Sequence, residues 1–493
     1  MKSVAIIGAG ITGLTAAFYL KRMGVPVTVY EAGGCAGGVI RSLRKDGFLA
    51  EFGPNTILET SPKIAQLIRD AGLKSHRLNS DPKAEARYVV RNRRPIAMPS
   101  SQLGIFTSEL LSTKAKFALL REPFVPRRRD GKEESIAEFV VRRLNQEFLD
   151  QMIDALVAGI YAGDPHKLSV QHAFPRLAEL ETRYGSLIKG QIFGARERKK
   201  RGEISKDRAP KFSFDDGLQV LPDALAAQLG DSLKLNTAVT KLTQIEGGWR
   251  VTCLEGRVPR VPNSNSEIKD SQSSSLRQFE AEHGAVIYCG TAYKLAELVL
   301  IGTPSIARQG MTETQAERCS ALRTFSEIRY PPVASVVLGF RREDITHSCE
   351  GYGMLIPKIE GFKILGTIFS SALFPNRAPA GRVLLTSYIG GERYPELALL
   401  PPEKLVELVC EDLRVLLGVK EPPVFQHCVL YPKAIPQYNV GYGKFKNLLS
   451  EIESQTHGLF FAGSYRDGVS LGDSIVSGCN IAEKVQEYLK TAN

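Results

Sequence analysis

The sequence has few of the residues from which metal sites, disulfide frameworks and membrane spans are built. Its eight cysteines are scattered without a Cys-x-x-Cys pair, and its seven histidines show no ligand spacing. We therefore expect no metal site and no disulfide framework, and a reducing compartment fits better. No apolar run approaches the roughly 18 residues of a transmembrane helix. The first three residues lead directly into a strand pattern, so we expect no signal or transit peptide.

Length and composition are those of a folded protein with several domains. At roughly 100 to 200 residues per domain, 493 residues predict about two to four domains. The 43% hydrophobic and 24% charged residues exclude disorder or a coiled coil for most of the chain. A net charge of +11 permits attraction to nucleic acid, anionic lipid or acidic small molecules without choosing among them.

A glycine-rich turn follows a predicted buried strand at the start of the chain. Gly8, Gly10 and Gly13 come directly after the apolar run 4–7 and open a predicted helix, and Glu31 ends the next strand. In such a turn the glycines permit the tight bend, the approach of a pyrophosphate and close packing of helix on strand. The helix N-terminus binds phosphate, and the acid accepts from a ribose hydroxyl. The sequence therefore predicts a Rossmann-type dinucleotide site.

A second glycine-rich loop, with Gly37 and Gly38, follows Glu31 and resembles the extended fingerprint of FAD enzymes of the amine oxidase and phytoene desaturase superfamily. The resemblance implies FAD, which we expect to be non-covalent because no Cys or His occupies a recognisable flavinylation motif. Near the other end, a strand closes at Gly463 and a helix follows from residue 472. This resembles the second flavin contact of the superfamily and implies that Gly463 and Val469 bind the cofactor.

The predicted elements of the nucleotide-binding fold are interrupted, so the fold class is α/β (α+β). We expect a discontinuous Rossmann-type FAD-binding domain with an inserted substrate domain and a helical membrane-binding region. In the central part of the FAD-binding domain, Val239 would offer its backbone to the adenine. The predicted segments are FAD-binding 1–85, membrane-binding 86–210, FAD-binding 211–295 with a disordered insertion at about 257–280, substrate-binding 296–435 and FAD-binding 436–493.

Several stretches along nearly the whole chain resemble the protoporphyrinogen oxidase family. They are 51–56, 86–90, 157–165, 353–357, 366–371, 374–379 and 463–472. The resemblance implies an FAD enzyme that takes six electrons from a tetrapyrrole, using three molecules of oxygen and releasing peroxide. It implies a propionate contact at Arg87, an asparagine near the ring at Asn55, a pyrrole sandwich by Leu355 and Ile368, a substrate-facing Tyr388, and a backbone carbonyl from the loop 158–163, for which we take Gly163.

Two departures from the family pattern concern the cofactor. Cys35 stands where many relatives carry Arg or Lys near the FAD pyrophosphate, and 464–467 differ from the commoner Asn-His-Arg-Gly. The first puts one phosphate contact in doubt, and the second puts the surroundings of the flavin ring in doubt. No catalytic side chain is assigned, because the flavin carries the redox chemistry.

The segment 87–132 interleaves basic and apolar residues at helical spacing, which suits an anionic membrane surface. The alternative is a solvated basic helix packed on its own core. The family resemblance implies peripheral membrane attachment here, and we expect the cytoplasmic face of a bacterial inner membrane, with an organelle inner membrane as the other choice. A homodimer stays open, and no nucleic-acid partner is expected.

Three other functions fit parts of the sequence. The nearest is oxidation of coproporphyrinogen III, whose four carboxylates require more basic groups at the pocket than Arg87. A flavin amine oxidase or carotenoid desaturase fits less well, because we see no aromatic cage near the C-terminal flavin segment. A non-catalytic lipid carrier would keep the fold without the flavin.

Overall fold

The structure is a computed structural model. It describes residues 2–99, 104–200, 209–256, 276–301 and 321–491. Most of the predicted insertion lies outside these ranges, and its last part is ordered structure instead, because a strand begins at Arg277.

The strands of the described ranges are short in the nucleotide-binding part and longer in the centre of the chain. In chain order they are β1 (Val4–Ile7), β2 (Val27–Tyr30), β3 (Ser42–Lys45), β4 (Phe48–Glu51), β5 (Ile57–Leu58), β6 (Arg77–Asn79), β7 (Arg87–Arg91), β8 (Arg94–Ala97), β9 (Lys211–Phe214), β10 (Leu233–Lys234), β11 (Thr237–Ile245), β12 (Gly248–Glu255), β13 (Arg277–His283), β14 (Ala285–Tyr288), β15 (Val299–Ile301), β16 (Val333–Arg341), β17 (Gly353–Leu355), β18 (Ile364–Ile368), β19 (Arg382–Gly390), β20 (Phe425–Tyr431) and β21 (Leu459–Phe461).

The helices are concentrated at the two ends of the chain and between β8 and β9. They are α1 (Ile11–Arg22), α2 (Pro62–Asp70), α3 (Gly104–Thr107), α4 (Thr113–Arg121), α5 (Ile136–Arg143), α6 (Gln146–Phe148), α7 (Asp154–Tyr161), α8 (Val170–Ala173), α9 (Pro175–Tyr184), α10 (Leu187–Lys200), α11 (Val220–Leu229), α12 (Ala292–Leu295), α13 (Ser370–Leu373), α14 (Pro402–Leu417), α15 (Gly443–Gln455) and α16 (Leu471–Thr491).

A five-stranded parallel sheet forms the nucleotide-binding part, in the order β10-β2-β1-β14-β21. Apolar residues of α1, α11 and α16 form one core with Val4 and Ile6 of β1, while Ala5 and Ile7 belong to a second core. Strand β1 is apolar at every position because both of its faces are buried. Helices α1 and α16 approach closely, since a Cβ on Gly478 would lie 2.6 Å from the Thr12 carbonyl oxygen. The strands come from three separated parts of the chain, so the prediction of an α/β fold with a discontinuous Rossmann-type domain is confirmed.

A seven-stranded sheet in the order β20-β16-β19-β18-β17-β7-β8 forms the second large unit. Its strands β7 and β8 lie in the segment that was predicted to be helical and membrane-binding, so that segment begins with a hairpin of the sheet. Strand β15, placed by prediction in the substrate segment, instead pairs with β11 in the four-stranded sheet β13-β12-β11-β15. The exact division into domains stays a prediction.

Candidate functional site

The first glycine-rich turn joins β1 to α1 in the manner the motif predicts. Gly8 has φ +101° and its N–H donates to the Tyr30 carbonyl at 2.8 Å, which ties the turn to β2. A Cβ on Gly13 would lie 2.0 Å from the Gly8 carbonyl oxygen. Position 13 therefore requires glycine for α1 to begin this close to the strand.

Gly10 is a different case, because it faces open space. A Cβ on Gly10 would meet no atom within 4 Å, and no side chain caps the N-terminus of α1. Gly38 lies against Gly10, and the Gly37 N–H donates to the Ala9 carbonyl at 2.8 Å, so the second loop closes beside this opening. Free backbone N–H groups beside an open, side-chain-free surface fit the pyrophosphate of a dinucleotide.

Glu31 is at the carboxyl end of β2 and holds the two loops together. Its carboxylate accepts from the Ala9 N–H at 2.9 Å and from the Gly33 N–H at 2.7 Å. The Glu31 carbonyl accepts from Thr237 at 2.8 Å, which brings the start of β11 to the same edge. The register of β11 is irregular just after Val239. Glu31 and Val239 thus lie on neighbouring elements, as contacts to the ribose and adenine would require.

The turn at residues 8–13 and the loop at Gly37 form a backbone surface around Gly10, here called the cradle. A third segment of the cradle, at the end of β14, was not predicted. Carbon and nitrogen atoms of Cys289 and Gly290 lie 3.2 Å from where a Cβ on Gly8 would be. The hydroxyl of the next residue, Thr291, is buried without a hydrogen-bond partner among the described residues. A glycine two residues after the buried run 285–288 is the pattern that could have indicated it.

The turn after β21 is built around two glycines and an aspartate. Gly463 and Gly468 have φ +124° and +125°. The Asp467 carboxylate accepts from the Gly463 N–H at 3.2 Å and from the Ser477 hydroxyl at 2.5 Å, and Arg466 pairs with Glu453 at 2.5 Å. Two of the residues that depart from the family pattern, Arg466 and Asp467, therefore bond within the turn and to α15 and α16. The turn delivers Val469 and the N-terminus of α16.

Two buried tyrosines of a preceding segment also grip this turn and were missed from the sequence. The Tyr438 hydroxyl donates to the Ser464 carbonyl and accepts from the Gly468 N–H at 3.1 Å. The Tyr442 hydroxyl donates to the Tyr465 carbonyl at 2.6 Å. Burial raises the pKa of both hydroxyls well above the ordinary value, so both remain protonated donors.

The seven-stranded sheet brings four of the predicted substrate residues to one face. Gly353 pairs with Arg87 and with Ile368, while Gly366 pairs with Leu355 and with Tyr388. Residues two apart on a strand share a face. Arg87, Leu355, Ile368 and Tyr388 therefore lie on the same face of four adjacent strands, although they are up to three hundred residues apart in sequence.

Asn55 joins this face to the segment after β4. Its side-chain N–H donates to the Tyr388 hydroxyl at 2.7 Å, and that hydroxyl donates to the Gly53 carbonyl at 2.6 Å. Burial raises the pKa of Tyr388, so the hydroxyl stays protonated at neutral pH. The Arg87 guanidinium lies 5.7 Å from the centre of the Tyr352 ring, whose hydroxyl meets Thr56 at 3.2 Å. The loop 53–56 thus meets the sheet face at two points.

Comparison with known proteins identifies the fold and the cofactor together. Residues 11–486 match the family described as flavin containing amine oxidoreductase. The chain belongs to this family. It is 35% identical to protoporphyrinogen oxidase 2, chloroplastic/mitochondrial, of Arabidopsis thaliana, over 100% of this chain and 95% of the relative. It is 28% identical to coproporphyrinogen III oxidase of Bacillus subtilis, over 99% and 98% of the two chains. A crystal structure from Exiguobacterium sp. 255-15 matches 99% of each chain with a TM-score of 0.75 at 21% identity.

Membership of this family makes the protein an FAD-dependent oxidoreductase. The open surface at Gly10 and the partnerless Thr291 hydroxyl fit the cofactor, and the residues that would hold it are those of the three turns after β1, β14 and β21 together with the loop at Gly37. Within the described ranges, no cluster of three His, Cys, Asp or Glu side chains could bind a metal ion.

Gly163 ends the loop 158–163, in which Ala158 and Ala162 belong to one apolar cluster with Tyr388. A Cβ there would lie 2.5 Å from Gln437 Oε1 and 2.9 Å from a Leu168 methyl. Gly163 borders a cleft that also contains Asp154 and Arg393. The start of the same segment is nearer the sheet, since a Cβ on Gly159 would lie 2.5 Å from Leu355 Cδ2. Which carbonyl of 158–163 contacts a substrate stays a prediction.

A buried ion pair lies where the cofactor part meets the substrate sheet. Glu51, at the end of β4, accepts from Arg377 at 3.2 Å, from Ser42 at 2.6 Å and from the Leu218 N–H at 2.9 Å. Arg377 also donates to Ser213 at 2.6 Å. Burial raises the pKa of Glu51, and the charge of Arg377 acts against that rise. Neither residue was singled out in the sequence, because pairing across such a sequence separation leaves no local pattern.

Proposed function

We propose that the protein oxidises protoporphyrinogen IX to protoporphyrin IX with molecular oxygen as the acceptor. The observation that carries the proposal is the single sheet face with Arg87 at one side, apolar Leu355 and Ile368 in the middle, and Tyr388 beside the loop 53–56. A porphyrinogen is apolar in its macrocycle and anionic at its propionates, so it matches this order of side chains. The relatives named protoporphyrinogen oxidase support the same substrate class.

Each side chain has a positioning or binding task in this reaction. Arg87 binds a propionate through charge-assisted hydrogen bonds, while Leu355 and Ile368 hold the macrocycle by apolar contact. Bound FAD supplies the redox chemistry, accepting two electrons from the substrate in each of three rounds and passing them to oxygen. Asn55 and Tyr388 bond to each other and to Gly53, so they fix the boundary between cofactor and substrate without acting as proton acceptors.

The hydrogen-bond partners of Arg91, the second arginine on β7, bear on the choice between protoporphyrinogen IX and coproporphyrinogen III as substrate. Arg91 shares the sheet face with Arg87, but it already donates to the Leu110 carbonyl and to Glu147 at 3.3 Å. Glu147 is itself bonded to Ser112. With Arg91 held by Glu147, β7 adds no second arginine for a substrate with four carboxylates, which favours protoporphyrinogen IX over coproporphyrinogen III, the substrate named for the Bacillus relative.

Anaerobic reduction of the bound flavin tests this proposal. Protein mixed without oxygen with protoporphyrinogen IX should lose its oxidised flavin absorbance, by transfer of two electrons to each FAD, faster than with coproporphyrinogen III at equal concentration; porphyrin fluorescence, which requires the loss of six electrons, should appear only once oxygen is present. Admission of oxygen should restore the oxidised flavin and allow repeated turnover. Faster reduction by coproporphyrinogen III would transfer the proposal to that substrate, and no reduction by either would reject it.

We also infer that one exposed surface attaches the protein peripherally to an anionic membrane. The surface, here called the apolar patch, belongs to α3, α4, α10 and the turn after α4. It comprises Phe106, Phe117, Leu120, Phe124, Ile192 and Phe193. Phe117 is 64% exposed and Phe124 is 81% exposed. Clustered exposed aromatic residues beside exposed cations suit the membrane interface.

The turn after α4 and the start of α10, which both carry residues of the apolar patch, are joined by hydrogen bonds to the buried Glu122. The Glu122 carboxylate accepts from the N–H groups of Leu187 and Ile188, at 2.9 Å and 3.2 Å, where α10 begins. Buried Arg143 lies 3.4 Å from Glu122. Phe124 and the apolar residues of α10 are therefore presented as one surface. In the described part of the chain no helix could cross a bilayer. We propose peripheral attachment at the cytoplasmic face of a bacterial inner membrane. The formation of a homodimer stays a prediction.

Vesicle sedimentation tests the membrane proposal. Replacing Phe117 and Phe124 with Ser should release the protein from anionic vesicles, while the control Val415→Ser, at an exposed residue on α14, should not. Arg128 is a poor site for a charge test, because it pairs with Asp130 at 2.7 Å. Equal binding by the double variant and the wild type would reject the apolar patch as the attachment surface.

The charge contribution is tested separately at three exposed cations. Lys114 and Arg121 are exposed on α4, and Arg129 is exposed in the segment that follows it. Their joint replacement with Gln should weaken binding to anionic vesicles by a large factor, since each basic residue near such a surface contributes about 1 kcal/mol. Binding that is unchanged would show that attachment, if present, is not electrostatic.

A further inference from the structure

The glycine-rich loop beside Gly10, which closes over the predicted pyrophosphate site, carries an arginine, Arg41, in addition to its two glycines. Arg41 follows Gly37 and Gly38 in this loop and is half-buried. Its guanidinium donates to the sulfur of Cys35, six residues earlier in the same loop. The positive charge of Arg41 is therefore brought back to residue 35, where the chain has no cation of its own.

The surroundings of Arg41 give its charge no carboxylate partner. Among the described residues, no Asp or Glu oxygen lies within ion-pair distance of its guanidinium. The acid it influences is Asp223, at the start of α11: burial raises the pKa of Asp223, and the charge of Arg41 acts against that rise. Pro222, next to this acid, packs 3.1 Å from where a Cβ on Gly37 would be, so α11 supports the loop.

The same loop borders the open surface at Gly10. Gly38 would contact the Gly10 Cα at 3.4 Å if it carried a Cβ, and Gly37 is hydrogen-bonded to Ala9. A half-buried guanidinium without a carboxylate, on the loop that borders the uncapped N-terminus of a helix, has a phosphate as its natural charge partner. We propose that Arg41 binds the FAD pyrophosphate and supplies the cation that Cys35 does not provide.

Release of FAD from the purified holoprotein tests this proposal independently of activity. Flavin fluorescence after dilution would be followed for the wild type, Arg41→Gln, Arg41→Lys and Asp223→Asn. Arg41→Gln should release FAD about 10- to 100-fold faster, the effect of one charge-assisted hydrogen bond. Arg41→Lys should stay close to the wild type, because it keeps the charge. The difference between Arg41→Gln and wild type should shrink as salt is added.

Asp223→Asn separates cofactor binding from a structural role. If Arg41 serves mainly to balance Asp223, the Asp223→Asn variant should release FAD as fast as Arg41→Gln, and that result would overturn the proposal. Under the proposal Asp223→Asn retains FAD at least as well as the wild type. The substitution removes the negative charge that attracts Arg41, so the full charge of Arg41 acts on the pyrophosphate. Arg41→Gln releasing FAD at the wild-type rate would equally overturn it.

A second-site exchange tests the relation to Cys35 directly. Adding Cys35→Lys to the Arg41→Gln variant should recover most of the lost retention, because it restores a cation at residue 35. Failure to recover would reject the claim that Arg41 stands in for a cation at residue 35. A wild-type protein that purified without any flavin would instead refute the cofactor assignment, so the two failures are distinguishable.

Discussion

The cofactor cradle and the substrate face are built by different means. The cradle consists of backbone: positive-φ glycines, uncapped N–H groups and a bare Cα at Gly10, all within a few residues of a strand end. The substrate face consists of side chains that four strands bring together from distant parts of the chain. Changes in the cradle should therefore act on FAD, and changes on the face should act on substrate.

The junction between these regions is where a single change should have the largest effect on folding. Arg377→Met leaves Glu51 buried without its charge partner, which should lower the free energy of unfolding by about 3 to 5 kcal/mol. Urea unfolding followed by circular dichroism measures it. The matched control is Arg44→Met, whose partner Asp216 is largely exposed, and it should cost less than about 1 kcal/mol. Equal losses in both variants would contradict the assigned role of the junction.

Two glycines of one motif should separate folding from cofactor binding. Gly13→Ala places a Cβ against the Gly8 carbonyl and should destabilise the protein by about 1 to 3 kcal/mol or more. Gly10→Ala meets no atom, so the variant should fold with near-normal stability while retaining little FAD. Thermal unfolding and the ratio of flavin to protein measure the two effects. A Gly10→Ala variant with full FAD content would show that the pyrophosphate does not approach there.

The smallest expected effect is the pH dependence of stability that arises from His283, which packs against the nucleotide-binding sheet. Buried His283 meets Ser3 at 3.0 Å and Tyr30 at 2.9 Å, and burial lowers its pKa. Below about pH 6.5 the unfolded chain takes up a proton that the folded chain resists, so stability falls on acidification by up to about 1.4 kcal/mol per pH unit. His283→Gln should show a shallower loss between about pH 7 and 5.5 in urea titrations. A slope equal to that of the wild type would exclude His283 as the cause of the loss of stability on acidification.

The cradle could be predicted from sequence because its determinants are local. Gly8, Gly10, Gly13 and Glu31 lie within one strand–turn–helix–strand unit, and the structure places them as the pattern requires. Thr291 and Tyr438 were missed, since their contacts depend on tertiary packing that no short spacing reports.

The substrate face could be proposed only through the resemblance to a family. Alternation along one strand predicts which residues share that strand's face, but not that β7 would pair with β17. For the same reason the hairpin β7–β8 was assigned to a helical segment. The Glu51–Arg377 pair is a similar case, because its partners are 326 residues apart, one at the end of β4 and the other in a turn after α13.

Steady-state kinetics of Arg87→Gln beside Arg91→Gln tests the division between cradle and face most directly. Arg87→Gln should raise KM for protoporphyrinogen IX about 10- to 100-fold, with a smaller change in kcat and with FAD content and melting temperature unchanged. Arg91→Gln, whose charge is bound by Glu147, should leave KM nearly unchanged. An Arg87→Gln variant that lost FAD or stability while keeping its KM would contradict the account.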